Sequence, residues 1–279
     1  MKINISGIAC KTIIGCYEYE RKIMQEVLID LCLELYPSNW INSDSIDTTV
    51  DYAKLISFIQ ELIPKTSYNL LESLTKRICK ELLEHYSLIK IIHVTATKPA
   101  ICGMQARHIE LSHKMERKFR VALALGSNDT LASQQIITAI EILGEYVTDI
   151  KIGNFYKTRP VGYTPQNDFI NTALTGYVSI RPEELLGKIK TIEKLMGKNE
   201  VFTNGPRCID IDLILFDNLI YTHNFLTVPH KSMHLRDFVL KPLYDIDPSW
   251  LHPKYNKTIA ELLAQLKDTS IISQVEYYK

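Results

Sequence analysis

Residues 27–35, VLIDLCLEL, alternate strictly, with Val27, Ile29, Leu31, Leu33 and Leu35 at every second position. Side chains two apart on a strand share a face, so this period predicts a half-buried strand. A longer period follows. TVDYAKLISFIQELI (49–63) and NLLESLTKRICKELLEHY (69–86) read as helices, the second with Leu71, Leu74, Ile78 and Leu82 along one apolar stripe. IKIIHVTATKP (89–99), ended by Pro99, and ARHIELS (106–112) read as strands again. The order to this point is strand, strand, helix, helix, strand, strand.

A short charged run, HKMERK (113–118), then separates IELS from FRVALALGSN. It is expected to be a linker or junction between two units, the other reading being a solvated hairpin inside one domain. Beyond it the order becomes strand, helix, strand, strand, helix, strand, which fits a ferredoxin-like sheet layered with helices. FRVALALGSN is a buried strand, ASQQIITAIEILGEY (132–146) a helix, and DFINTALTGYVSI (168–180) the third strand. RPEELLGKIKTIEKLMG (181–197) opens a helix with Pro182 in its first turn. LTVPHKSMHLRDFVLKPLYDI (226–246) is expected to bring His230, Lys231, Arg236 and Phe238 into one loop region.

The stretch NGPRCIDIDLILF (204–216) carries the sharpest chemistry, because Asp210 and Asp212 alternate with Ile209, Ile211, Leu213 and Leu215. On a strand both carboxylates point one way while the aliphatic residues enter a core. Mg²⁺ takes one or two carboxylates, with phosphate oxygens and waters completing its octahedron, and Arg207 just upstream would face phosphate. Alternation alone also allows an edge strand whose solvent face carries two aspartates.

Composition narrows the classes. The chain has 279 residues, 46% hydrophobic and 23% charged, enough for one large domain or two medium ones. Lys plus Arg equals Asp plus Glu at 32 each, which argues against a dedicated nucleic-acid binder. No apolar run approaches a membrane span, and Lys11 interrupts any signal-peptide core, so no membrane partner and a cytoplasmic location are expected. The six cysteines show no CxxC pairing and sit among apolar neighbours, as reduced buried thiols would.

The motifs ALGSN (124–128), YKTRPVG (156–162), DFIN (168–171), GPRCIDIDLILF (205–216) and VPHKSMHLRDF (228–238) occur in one order across residues 118 to about 270. In that order this half resembles hydroxymethyldihydropterin pyrophosphokinase. Residues 1 to about 115 resemble dihydroneopterin aldolase through TIIGCYEYER (12–21), TVDYAKL around Tyr52, NLLESL around Glu72 and TKPAICG around Lys98. The resemblance implies an α+β chain of two domains, 1–115 and 118–279. The first would be a tunnelling-fold-like (T-fold) ββααββ unit and the second a ferredoxin-like α/β sandwich.

For the first half the resemblance implies retro-aldol cleavage of dihydroneopterin. The pterin C=N bond can serve as the electron sink once protonated, so no Schiff-base lysine is required. Lys98 is implied as the acid/base residue, assisted by the Tyr52 hydroxyl. Glu72, with Leu71 beside it, would grip the aminopyrimidine edge, and Glu20 would contact the side-chain hydroxyls. Other readings exist for each. Glu72 lies three residues after Asn69, as the partner in a capping box does. Lys98 before Pro99 is otherwise a solvated strand-end lysine, and Tyr52 a core aromatic.

For the second half the resemblance implies pyrophosphate transfer from ATP, as co-substrate, to the hydroxymethyl group of a dihydropterin. Asp210 and Asp212 would hold two Mg²⁺ ions. Lys198, Arg207, His230, Lys231 and Arg236 would ring the phosphates, with Arg207 in a catalytic role. Phe169 and Phe238 would stack on the pterin, Asn171 would read its polar edge, and Thr158 and Pro160 would line its loop. Without the resemblance, both phenylalanines would read as core aromatics, His230 as a satisfied loop histidine, and Thr158 and Pro160 as parts of a plain turn. No Walker A motif is present.

Three departures from the family pattern stand out. KNEVFTN (198–204) keeps only Lys198 of a common arginine pair, is one residue short, and ends in Asn204 where relatives place Trp. Phe169 replaces a common Tyr, and the segment near Tyr17 is of the acidic-aromatic type. The resemblance also implies a homo-oligomer built through the first half. Two rival readings are a pyrophosphokinase whose first half is an assembly scaffold, and a pterin- or nucleotide-binding regulator without catalysis.

Overall fold

The computed structural model describes residues 1–37, 43–99, 107–160, 166–197 and 207–276. It divides into two compact units, Met1–Arg117 and Lys118–Lys279.

The first unit is a four-stranded antiparallel sheet in the order β1 (Lys2–Thr12), β2 (Gln25–Leu35), β3 (Ile89–Lys98), β4 (Ile109–Glu116). Helices α1 (Tyr52–Leu62) and α2 (Leu71–His85) come between β2 and β3 in the chain, so the ββααββ order holds. The strict alternation of β2 puts Val27, Ile29, Leu31, Leu33 and Leu35 in the core, while Asp30, Cys32 and Glu34 face outward half-buried. Against that apolar face pack Leu55 and Ile59 of α1 and Leu74, Ile78 and Leu82 of α2. β3 keeps the same parity, so Ile92, Val94, Ala96 and then Lys98 all lie on the core side.

The charged run expected as a linker or junction holds the boundary between the two units, at Arg117 and Lys118, but most of it is strand. β4 continues through His113 to Glu116, with His113 paired to Val94 and Met115 to Ile92. Its polar residues sit on a strand because Met115 alternates inward against the core. The described cysteines are free thiols as expected, but only two of them are buried. Cys10 and Cys79 are buried, and burial pushes their thiols up to about 11 and about 12. Cys32 and Cys208 are half-buried, Cys16 is exposed, and all five are free thiols; Cys102 lies outside the described residues.

In the second unit β5 (Phe119–Ser127), α3 (Ala132–Leu143), β6 (Thr148–Ile152), β7 (Phe155–Thr158), β8 (Phe169–Val178), α4 (Pro182–Leu195) and β9 (Asp210–Phe216) follow in chain order. β6 and β7 are two pieces along one edge of β8, and the sheet runs β7, β8, β5, β9, antiparallel throughout. This is the expected ferredoxin-like order. α3 and α4 cover one face through Ile136, Leu143, Leu185 and Ile189.

The other face carries a layer of strands and helices where the sequence predicts a loop region. After the hairpin β10 (Tyr221–His223) and β11 (Leu226–Val228) comes helix α5 (Asp237–Ile246), which contains Pro242. Val239, Leu240 and Leu243 give it an apolar stripe, which packs on Ala122, Ala173 and Ile214. The short pair β12 (Leu251–His252) and β13 (Lys257–Thr258) and helix α6 (Ile259–Ala264) complete that layer. β14 (Ile271–Val275) then returns to pair with β7. No described helix is long and apolar enough to cross a membrane.

A register shift between Ala122 and Leu123 changes the expected facing of β9. Ile211 and Leu213 enter the α3/α4 core as expected, but the bulge turns Leu215 to the α5 side with Ile214.

Candidate active sites

In the second unit β5 supplies a floor of small residues. Gly126 pairs with Asn171 on one side and Asp210 on the other, while Ala124 pairs with Asp212. A Cβ at Gly126 would stand 2.5 Å from Asn171 Oδ1, so the glycine makes room for that amide. Asn171 Nδ2 donates to Thr158 Oγ1 at 2.7 Å, which fixes the amide's orientation. The floor opens into a cleft of about 220 Å³, bordered by Asp210, Asp212, Arg207, Arg236, Phe169 and Phe238.

β9 ends the path of the sheet, so it is an edge strand and its two aspartates also line a cleft. The geometry unites the two readings left open by alternation. Arg207 Nη1 pairs with Asp210 Oδ2 at 2.6 Å, and Arg236 Nη1 lies 3.7 Å from Asp212 Oδ2. Burial first, and then the neighbouring Asp210 charge, push the Asp212 carboxyl above its ordinary range. A like-charged pair of this kind favours a nearby cation. Two carboxylates facing a cleft ringed by guanidinium groups suit a hard divalent ion that brings its own phosphate ligands. Among the described residues no group of three or more His, Cys, Asp or Glu clusters as metal ligands, so the carboxylate pair is the candidate.

His230 follows a cis peptide between Val228 and Pro229, and its backbone N–H donates to Ile214 O at 2.9 Å. Burial holds the imidazole below its ordinary value against the pull of Asp212. His230 and Lys231 border a second cleft of about 170 Å³ rather than the first, in company with His234, His252 and Tyr255. β11 and the turn after it set His230 beside Ile214 of β9, near enough for its imidazole to feel the Asp212 charge. Pro160 likewise does not border the main cleft, whereas Arg159 does. Phe238 lies in the first turn of α5, with Arg236 at its N-cap, and not in a loop. Lys198 and the 198–204 loop fall outside the described residues.

In the first unit Lys98 is buried, which excludes the solvated lysine. Its ammonium pairs with the Glu20 carboxylate. That hydrogen bond outweighs burial and holds Glu20 below the ordinary range. Glu20 also accepts from Tyr17 N at 3.1 Å. Gly15, at φ +132°, lies directly under this carboxylate, where any Cβ would collide with it. The loop is held from behind by Gln25 Nε2 on Ile14 O at 2.6 Å and by Arg21 Nη1 on Tyr68 O at 2.8 Å.

Tyr52 and Glu72 are not joined to this pair. Tyr52 is 58% exposed at the start of α1, which excludes the core aromatic. The helix there is capped by Asp51, whose carboxylate accepts from Ala53 N and Lys54 N. Glu72 is exposed in the first turn of α2, and the N-cap of that helix is Leu70, with no side-chain cap. The capping-box reading of Glu72 therefore fails: the helix starts one residue later than Asn69 requires. Leu71 is half-buried and packs on the core. Tyr17 and Tyr19 stack with ring centroids 5.7 Å apart and are both exposed.

Comparison with known proteins gives these two sites a family. The model of 7,8-dihydro-6-hydroxymethylpterin-pyrophosphokinase (HPPK) matches residues 122–248, and that of dihydroneopterin aldolase matches residues 3–114. A 2-amino-4-hydroxy-6-hydroxymethyldihydropteridine pyrophosphokinase of Aquifex aeolicus is 40% identical over 141 residues, covering 50% of this chain and 88% of its own. The chain belongs to the hydroxymethyldihydropterin pyrophosphokinase family. Residues 3–114 add a dihydroneopterin aldolase domain. The folic acid synthesis protein fol1 of Schizosaccharomyces pombe is 29% identical over 97% of this chain, which spans 37% of that protein's length. The relative from Pneumocystis carinii is similar, at 28% identity and 38% of its length.

Several residues of the pyrophosphokinase domain gain a place that the motifs did not assign. Asn128, the last residue of ALGSN, is buried; its Oδ1 accepts from Arg207 N at 2.9 Å and its Nδ2 donates to Gln166 Oε1 at 3.0 Å. Glu193 and Asp237 are buried carboxylates that hold backbone beside the cleft. A buried acid in an otherwise apolar helix stripe was the available signal for Glu193, which follows Leu185, Ile189 and Ile192 along α4. In the aldolase domain the parity of β3 already placed Lys98 on the core side.

Proposed function

We propose that the chain carries out two consecutive steps on one pterin: retro-aldol cleavage of 7,8-dihydroneopterin, then ATP-dependent pyrophosphorylation of the 6-hydroxymethyl-7,8-dihydropterin released. What carries this reading is that one chain holds both a buried Lys98–Glu20 pair and the Asp210/Asp212 cleft between Phe169 and Phe238.

In the first step a base removes the proton of the side-chain hydroxyl next to the bond that breaks. The electrons of that bond enter the protonated pterin ring, glycolaldehyde leaves, and a proton returned to the remaining side-chain carbon gives the hydroxymethyl group as the ring nitrogen gives up its own. Lys98 serves as the acid/base group, worth about 10²–10⁴-fold in rate. Glu20, ionised beside it, receives the substrate hydroxyls, while Tyr52, Leu71 and Glu72 meet the substrate from the rim. The exposure of Tyr52 and Glu72 in a single chain supports a homo-oligomer in which a neighbouring copy completes the pocket. Among the described residues β1 and β4 each have one strand neighbour, which leaves an edge on either side of the sheet for such assembly.

In the second step the pterin lies between Phe169 and Phe238, with Thr158 lining the site, Asn171 on its polar edge and ATP along Arg207 and Arg236. Lys231 and Lys198 contribute further positive groups to the nucleotide, and His230 a hydrogen-bonding imidazole. Asp210 and Asp212 would hold Mg²⁺, two ions in all, which neutralises phosphate charge when bound. The chain's own groups orient the hydroxyl and the phosphates for in-line attack. The free thiols support a cytoplasmic setting.

The test is incubation with dihydroneopterin, ATP and Mg²⁺ and identification of products by mass spectrometry. Glycolaldehyde together with a pyrophosphorylated pterin is expected. Pyrophosphorylation of added hydroxymethyldihydropterin without any glycolaldehyde would instead leave the first unit as a scaffold.

A further inference from the structure

Asp237 lies in sequence between two residues that border the pyrophosphokinase cleft, Arg236 and Phe238, yet its own carboxylate is buried against the end of the chain. Oδ2 accepts from Thr269 Oγ1 at 2.7 Å, Ser270 N at 2.6 Å and Ile271 N at 3.0 Å. Oδ1 accepts from Ser270 Oγ at 2.5 Å and from Phe238 N at 2.9 Å. Burial by itself would raise this carboxyl, but the hydrogen bonds from Ser270, Thr269 and Ile271 hold it below the ordinary range.

Residues 269–271 connect onward to the opposite wall of the cleft. Ser270 O accepts from Arg159 N at 3.0 Å, and Ile271 pairs with Thr158 where β14 joins β7. Thr158 and Arg159 border the cleft on that side and Arg236 and Phe238 on the other. One carboxylate thus joins both walls through three residues that do not border the cleft.

We infer that Asp237 is a positioning residue that sets the spacing of the two cleft walls, so that Phe238 and Thr158 meet the dihydropterin together. This rests on the assignment of the cleft to a dihydropterin. A carboxylate suits the task because it accepts from five donors and offers none of its own. Asparagine has the same shape, but it replaces one oxygen with an NH₂ that faces hydrogen-bond donors.

The experiment compares the full-length wild type with Asp237→Asn, Thr269→Val and Ser270→Ala well below their melting temperatures. Binding of 6-hydroxymethyl-7,8-dihydropterin is read by fluorescence, and KM and kcat by pyrophosphoryl transfer. Asp237→Asn should weaken pterin binding about tenfold or more, as leaving buried donors unmatched does. Thr269→Val and Ser270→Ala should each give a smaller shift in the same direction. KM for the pterin should rise more than kcat falls, and aldolase turnover should stay unchanged. A role confined to stability would lower the melting temperature and leave pterin affinity and KM within about twofold of wild type. That result would overturn the inference. A wild type that fails to bind the dihydropterin would sink the cleft assignment together with it, and the wild-type control separates the two outcomes.

Discussion

Glu193 Oε1 accepts a hydrogen bond of 2.9 Å from Ile211 N, the backbone group lying between Asp210 and Asp212. The acid is 2% exposed, and its other oxygen pairs with Lys190 at 2.7 Å. Among the described residues β9 is the edge of the sheet, with no further strand to take its outward N–H groups, and Glu193 takes one of them. Glu193→Ala would leave that N–H buried and unmatched, at a cost of about 1–3 kcal/mol. Glu193→Gln keeps an acceptor. Mg²⁺ titration of pyrophosphoryl transfer should show a higher requirement for the alanine variant and recovery in the glutamine variant. Equal behaviour of the two would show that the hydrogen bond does not hold the aspartates in place.

Asp210→Ala or Asp212→Ala should abolish pyrophosphoryl transfer and leave glycolaldehyde release intact, since both carboxylates border the cleft of the second unit and neither lies in the first. Parallel assays on one preparation check this. Equal loss of both activities would contradict two separate sites.

Lys98→Ala should lower aldolase turnover by about 10²-fold or more, the weight of a general acid/base group. Pterin binding should change little, because the proposed contact with the ring is made by Glu72. Glu72→Ala should weaken that binding by about 1–3 kcal/mol through unmatched ring donors. Single-turnover rates and pterin affinities measured on both variants should therefore cross.

The Lys98–Glu20 pair also sets a pH dependence. The Glu20 carboxyl is lower in the folded chain than in the unfolded one, so its contribution to stability is complete above the unfolded value. It is lost as pH falls below about 4.3, the ordinary glutamate value, and through the lower folded value. Acid unfolding of the wild type should therefore be steeper in that window than that of Glu20→Gln, as followed by circular dichroism.

Gly126→Ala would drive a methyl group to within 2.5 Å of Asn171 Oδ1 and push the amide off Thr158. The KM for the hydroxymethyl pterin should rise, and Asn171→Ala should raise it by itself. Because both changes act on one contact, the double variant should fall short of their sum. Additive losses would show that the glycine has another role.

Much of this protein was legible before folding, because periodicity acts locally. The alternation of Val27 through Leu35 has one way to bury its apolar face, and the same rule placed Asp210 and Asp212 side by side. The parity of Ile92, Val94 and Ala96 also places Lys98 on the core side, although a lysine before a proline looks like a solvated strand end. What parity could not supply was its partner, Glu20, 78 positions earlier. The same holds for Asp237 and Ser270, 33 apart, and for Asn128 and Arg207, 79 apart. The turn of Leu215 to the far core depends on a bulge against β5, which no pattern within β9 announces. Local period reports which face a side chain takes, since that follows from backbone geometry and the removal of apolar surface from water. Which buried polar group answers another depends on how distant segments close on each other, and only the tertiary structure decides that.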